Sequence, residues 1–391
     1  MNNNGFDFSD IAPYDDALFP QKIQALVKEP GFLHAIGYTM PEDAVPVLLD
    51  ELLKITNTHD FQRVIMIPFL DLIAKTTTDG ISLGGIKYVN PNLSYTFISN
   101  HRDIVLDASF LNLALIKKGI PTTEVAIGNN LLIYDWIEDV VRLNKSFIVK
   151  RNTGVREALS AAKQLSAYIH HTILDKRESV WIAQREGRAK DSSDHTQESL
   201  IKMLALEGEG SFIEKIKELN IIPVSISYEY DPNDYLKAKE FLLKHRDPAY
   251  KKSQRDDLFS METGLLQHKG KVHFQLTPRI NARLDQIGES KDKNTSAKWV
   301  GRIIDQAIHR SYEIFDINYV AYDLLHEGKR FASKYDQSVK DKVLEYFNRQ
   351  LDKVGLSDVT LDERDFMMNK MYVMYANPLI NKLRTIIGIE N

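Results

Sequence analysis

The chain has 391 residues, 27% of them charged and 43% hydrophobic, with a formal net charge of -4 at pH 7; this fits a globular protein of two or three domains. The near balance of 50 basic and 54 acidic side chains speaks against a general nucleic-acid binder, which carries a basic excess. The absence of cysteine excludes a disulfide scaffold, a zinc ribbon, an iron–sulfur cluster and cysteine-based covalent catalysis, and it fits a reducing compartment.

In chain order, residues 1–15 read as a loose arm without the basic and apolar regions of a secretion signal. Residues 18–75 read as mainly helical, with apolar positions such as Leu49, Leu52, Leu53 and Ile55 falling on one face. The most apolar stretch, Val64 to Leu70, meets Asp71 at once, and no run approaches the ~18 apolar residues that span a bilayer. The chain is expected not to cross a membrane, although it can lie on one.

From residue 80, short apolar runs (GISLGGIKYV, SYTFIS, TEVAIG, SFIVK, SVWIAQ, IIPVSISYEY) alternate with helical patterns such as ASFLNLALIKKG, NLLIYDWIEDVV and VREALSAAKQLSAYIHHTIL. That alternation predicts an α/β fold: a largely parallel twisted sheet flanked by helices, with helical N- and C-terminal extensions. The expected division is 1–78 for the N-terminal arm and helical region, 79–280 for the α/β domain, and 281–391 for a C-terminal helical region with a polar break near Gly355–Asp358.

Ligands of open α/β sheets bind outside the carboxyl ends of the strands, and four segments stand out on that basis. FISNHRDIVLD (97–107) ends a strand in Ser99-Asn100-His101. A histidine there can act as a general base, with Asp103 or Asp107 orienting it. Residues six apart on a regular helix point about 240° apart, so pairing with Asp107 requires His101 to sit in the turn before the helix. The same residues would serve a surface helix cap at Asn100 or Asp103. SFIVKRN (146–152) ends in Lys150-Arg151, and SVWIAQREGRAKD (179–191) runs into Arg185-Glu186-Gly187-Arg188. Cations beside a glycine suit an anion, since the glycine allows close backbone approach; a charged turn is the alternative. NIIPVSISYEYDP (220–232) is an apolar strand with a proline near its start.

Taken in order, these segments resemble the four sequence blocks of the glycerolipid acyltransferase family, the glycerol-3-phosphate and 1-acylglycerol-3-phosphate acyltransferases. His101 and Asp107 approach the first block; Phe147, Ile148 and Arg151 match the second. Glu186, Gly187 and Arg188 match the third, and Pro223 and Val224 the fourth. The resemblance covers roughly residues 80–230. Two departures mark a divergent branch. Five residues separate His101 from Asp107 where the family has four, so Leu106 stands at the usual aspartate position, Asp107 becomes the partner after a local shift, and Asp103 is the fallback. Arg188 follows Gly187 directly, which leaves the third-block arginine open between Arg185 and Arg188.

The resemblance implies transfer of a fatty acyl chain from acyl-CoA or acyl-carrier protein to a hydroxyl of lysophosphatidate (1-acyl-sn-glycerol-3-phosphate), with glycerol-3-phosphate as the close alternative. His101 would be the base and Asp107 its partner. Arg151 and Arg188, with Arg185 and Lys150, would hold the phosphate, and Glu186 would organise the cationic loop around Gly187. No metal or cofactor is expected beyond the acyl thioester. The expected partners are these substrates and a membrane surface, not nucleic acid, and the expected location is cytoplasmic, peripheral at the inner face of the membrane.

Three other readings come from the residues. Gly80-Ile81-Ser82-Leu83-Gly84 fits the hydrolase G-x-S-x-G pattern, but with β structure expected on both sides it is not an elbow. His101-Arg102-Asp103 resembles a kinase catalytic loop, yet the required asparagine would fall at Ala108 and no Asp-Phe-Gly exists. A non-catalytic lipid-binding protein would keep the cleft and lose the base. The basic segment Lys237–Arg255 is read as either membrane-facing or a solvated loop. His170, His171 and His195 are read as surface residues, and Trp136, Trp181 and Trp299 as packing.

Overall fold

The computed structural model describes residues 5–151 and 154–388; the first four residues of the expected arm and Asn152 lie outside that range. Among the described residues, helices α1 (Phe19–Leu26), α2 (Pro30–Thr39), α3 (Ala44–Leu52), α4 (Thr58–Asp60) and α5 (Ile67–Thr77) precede the sheet. A wider π-helical stretch, Phe61–Met66, joins α4 to α5. Pro68, near the start of α5, has no N–H for the regular helical bond, which accounts for the widened turn just before it.

The strands are β1 (Ile81–Gly84), β2 (Thr96–Ser99), β3 (Glu124–Gly128), β4 (Ser146–Val149), β5 (Val180–Ala183), β6 (Ile222–Tyr228) and β7 (Val272–Leu276). Between them run α6 (Leu106–Ile116), α7 (Asp135–Leu143), α8 (Val155–Leu174), α9 (Glu198–Leu204), α10 (Phe212–Glu218), α11 (Asp234–Arg246) and α12 (Gln254–Leu266). After β7 come α13 (Asn281–Ile287), α14 (Lys293–Arg310), α15 (Asp316–Leu325), α16 (Gln337–Asp352) and α17 (Leu361–Ile387).

The strands lie in the order β1-β7-β6-β2-β5-β3-β4. All neighbours pair parallel except β6 with β7, so β2 through β6 aim their carboxyl ends at one edge. The fold is therefore the α/β arrangement expected from the alternating pattern. Side chains alternate across it: Phe97 and Trp181 pack with α5 and α6 on one face, while Ile98, Val180 and Ile182 pack with α8, α9 and α14 on the other. Burial on both faces explains why β2 and β5 read as continuous apolar runs. A separate apolar cluster joins α11 to α15, α16 and α17.

Several expectations change. The described part of the N-terminal arm is not loose. Ile11 is buried, its carbonyl accepts from the Ile148 N–H on edge strand β4 at 2.9 Å, and Arg142 holds the Ser9 and Ala12 carbonyls. An unpaired strand edge recruits backbone, and the arm supplies it. His170 is buried rather than at the surface, because α8 turns it under α9, where Nε2 lies 3.0 Å from the Leu204 carbonyl. The segment after Gly84 is a single tight helical turn, Ile86–Tyr88, and not a strand. Ser82 itself lies within β1, bonded to His273 Nδ1 at 2.7 Å, away from any strand-to-helix elbow. The basic segment 237–255 is mostly helical, and part of its charge is paired: Lys237 with Asp231, Lys244 with Glu240, Arg246 with Glu363, and Lys252 with Asp257, whereas Lys251 and Arg255 are exposed.

Asp234, at the start of α11, is fully buried and accepts hydroxyls from Tyr346 at 2.6 Å and Tyr375 at 2.8 Å. Burial pushes its carboxyl up to about 6 from the usual 3.8. The folded state therefore binds this proton more tightly than the unfolded chain. The stabilisation is complete below about pH 4 and is lost as pH rises through about 6. Over that window the free-energy difference between wild type and Asp234→Asn should change by about 3 kcal/mol, measured by urea unfolding at pH 4, 5, 6 and 7.

Candidate active site

The chain leaves the sheet after Ser99, and Asn100 manages the exit. Its buried side chain donates to the Ile226 carbonyl at 2.9 Å and accepts from the Ile226 N–H at 2.8 Å, continuing the ladder to β6 in place of backbone. His101 then falls in the turn before α6. Asp103 caps that helix, its Oδ1 accepting from the N–H groups of Val105 at 2.9 Å and Leu106 at 2.7 Å. Its Oδ2 accepts from Asn233 at 3.1 Å. Burial, then the neighbouring charge of Asp107, raises the Asp103 pKa.

Asp107, in the first turn of α6, is the carboxylate that meets the histidine. Its Oδ2 lies 2.7 Å from His101 Nδ1 and also accepts the backbone N–H of Arg102 at 2.6 Å and of Asp103 at 3.1 Å. An oxygen already collecting two N–H groups acts as an acceptor, so Nδ1 carries a proton and the neutral form of the ring is the tautomer with its lone pair on Nε2. Trp181 packs edge-on against the imidazole, ring centroids 5.7 Å apart, and its own N–H donates to Ser99 Oγ at 3.0 Å. The tryptophan thus fixes the ring as well as filling the core.

His101 lines a cavity of about 1000 Å³ at the carboxyl edge, together with Arg151, Arg185, Glu186, Gly187 and Arg188. Its far walls are apolar and include Leu70, Val125, Ile127, Leu132, Val140 and Leu165. Arg151, just after β4, is placed by the β3 end: Asn129 accepts its N–H at 2.9 Å and Asn130 its Nη1 at 3.2 Å. A side chain at Gly128 would put a Cβ 2.8 Å from the Arg151 guanidinium carbon, so this glycine gives the arginine its path. Glu186 is mostly exposed and stands 3.6 Å from Arg151 Nη1. Gly187 sits at φ 68, in the left-handed region.

Arg185 Nε and Arg188 Nη1 are buried atoms with no hydrogen-bond partner. Both side chains line the cavity, and with Arg151 they give its mouth a positive charge that suits an anionic ligand. Lys150 also lines the cavity, but its ammonium is engaged by Asp10 and, at 3.0 Å, by Gln164. Along β4, alternation sends it toward α8 and the arm, away from the guanidinium groups.

The sequence reading had no signal for Asn129 and Asn130, for the clasp by Asn100, or for the charged partners of Arg102. Each depends on a strand neighbour distant in the chain. Among the described residues, no helix is long and apolar enough to cross a membrane. Among the same described residues, no group of three or more His, Asp or Glu side chains is arranged to hold a metal ion.

The class defined so far is an α/β fold with a His–Asp pair and arginines opening onto one apolar cavity. No family model matches the chain, and no curated protein matches it. Among solved structures, the 1-acyl-sn-glycerophosphate (LPA) acyltransferase PlsC from Thermotoga maritima aligns over 76% of this chain and 97% of its own, at 10% identity and a TM-score of 0.35. A similarity that low adds nothing to the chemistry, which rests on the geometry above.

Gly264 of α12 packs directly on the Asp103 carboxylate; an added Cβ would stand 2.0 Å from Oδ2. Because that carboxylate is held by three hydrogen bonds, it cannot swing aside. A glycine-to-alanine change inside a helix ordinarily gains up to about 1 kcal/mol, but here the clash wins. Gly264→Ala should destabilise by about 1–3 kcal/mol, read as a lowered Tm.

Proposed function

We propose that the protein is a glycerolipid O-acyltransferase that moves a fatty acyl chain from an acyl thioester, acyl-CoA or acyl-carrier protein, to the free hydroxyl of 1-acyl-sn-glycerol-3-phosphate. Glycerol-3-phosphate is the alternative acceptor. One observation carries the reading: the His101–Asp107 pair shares one cavity with the cationic side chains of Arg151, Arg185 and Arg188 and with apolar walls. At about 1000 Å³, the space lies at the top of the usual range for small-molecule sites, roughly 300–1,000 Å³.

In this reaction, Nε2 of His101 takes the proton of the acceptor hydroxyl while its oxygen bonds to the thioester carbonyl carbon. The C–S bond then breaks, and the departing sulfur receives the proton. Asp107 holds the ring in the required tautomer and stabilises it when protonated. Arg185 and Arg188, with Arg151 beside them, bind the phosphate and so place the hydroxyl near His101. Lys150 steadies the arm. Because acceptor and product are lipids, the reading puts the protein at the inner face of the membrane as a peripheral enzyme.

The test offers purified protein each acceptor with each donor, using a radiolabelled acyl group. His101→Ala should lower turnover by about 10³-fold. Arg188→Ala and Arg185→Ala should each raise the acceptor KM by about 10- to 100-fold, the worth of a hydrogen bond to a charged group. Equal product from His101→Ala would rule out the base assignment. Absence of product with every pair, alongside bound lipid, would favour a carrier or binding protein.

A further inference from the structure

Arg102 carries no role in the reaction above, and its side chain does not line the cavity. It is nonetheless tightly held. Its buried guanidinium forms a two-pronged pair with Asp194, Nη1 to Oδ1 at 2.6 Å and Nη2 to Oδ2 at 2.5 Å. Burial opposes both charges, yet each partner overrides it, keeping Arg102 above and Asp194 below their ordinary pKa values.

Asp194 is itself fixed from the C-terminal helices. Tyr312, just past α14, donates to Oδ2 at 2.5 Å, and His309 Nε2 lies 2.8 Å from its carbonyl. Asn377 and Asn381 of α17 donate to the carbonyls of Asp191, Ser192 and Ser193. That support matters because Ser192 (φ 57) and Asp194 (φ 51) sit in the left-handed region, which persists for such residues only where surroundings impose it. The Arg102 carbonyl is gripped as well, by the buried Lys237 at 3.2 Å. Its one remaining backbone group, the N–H, donates to Asp107 at 2.6 Å.

A buried ion pair is a weak source of stability, since desolvation offsets its attraction. What it supplies here is geometry. We propose that Arg102 is a positioning residue: its pair with Asp194, anchored on α14 and α17, fixes the Arg102 N–H and thereby holds the Asp107 carboxylate against His101. The kinetic half of this inference rests on the acyl-transfer reading; the structural half does not.

Arg102→Lys keeps the charge but loses the fork. It should lower kcat about tenfold while leaving both KM values within about twofold, as expected when alignment and not binding is lost. Tyr312→Phe removes one bond to Asp194 and should lower kcat about two- to threefold. A readout independent of turnover is the proton resonance of His101 Nδ1–H, assigned by its disappearance in His101→Gln, which should move or broaden in Arg102→Lys. If wild type transfers no acyl group, the reaction reading fails and the resonance alone decides the positioning. A folded Arg102→Lys protein, checked by circular dichroism, with wild-type kcat and an unmoved resonance would overturn the proposal, as would a loss confined to KM. Should Arg102→Lys not fold, Tyr312→Phe carries the same test on both readouts.

Discussion

The site depends on how the chain leaves β2 without stranding a polar group in the interior. Between Ser99 and Leu106 every backbone amide needs a partner that the sheet no longer provides and the helix does not yet provide. While the Asn100 side chain satisfies the Ile226 N–H and carbonyl that β2 leaves unpaired on β6, Asp103 answers by capping α6 and Asp107 by collecting the Arg102 and Asp103 N–H groups. Asp107 can do this only from the first turn of the helix, and the same position aims it at His101. Solving the backbone problem and assembling the base are thus one arrangement. This also explains the spacing of His101 and Asp107: Arg102 to Val105 form the turn before α6, so the two side chains meet although they could not on one regular helix.

The cavity follows from the layers around that turn. On the α5 and α6 face, large side chains such as Phe97, Phe110 and Trp181 fill the core near β2 and β5. Toward β3 and β4 the sheet ends, and the walls come instead from α7 and α8, with small residues Ala158, Ala161 and Ala162 facing the space. Small side chains opposite a sheet edge leave a void where a uniform core would close. Its mouth is polar because the parallel strands deliver their carboxyl ends there together, and with them Arg151, Arg185 and Arg188.

The α/β class, five of the six quoted strand segments, the first half of the sixth (Ile81–Gly84) and the placement of His101 in a turn were legible because short apolar runs and turn residues act locally, whereas β7 was not singled out. The Asp107 pairing was half legible: helical geometry required the turn, but choosing between Asp103 and Asp107 needed the cap contacts of Asp103. Illegible were features made by chain-distant neighbours. His170 reads as polar surface until α9 covers it. In the basic run 237–255, nothing local marks Glu363 as the partner of Arg246. Asp194 lies in an unremarkable polar stretch, and nothing near it in sequence marks the arginine it binds.

The clasp of α17 on residues 191–193 also has a consequence for synthesis. Those carbonyls are bonded by Asn377 and Asn381, nearly two hundred residues downstream of the loop they secure. A nascent chain can complete the sheet well before these asparagines leave the ribosome, while Arg102, His309 and Tyr312 already reach Asp194; only the carbonyls of residues 191–193 wait for α17. The order of emergence therefore makes this clasp one of the last contacts to close, added onto a sheet that is already complete.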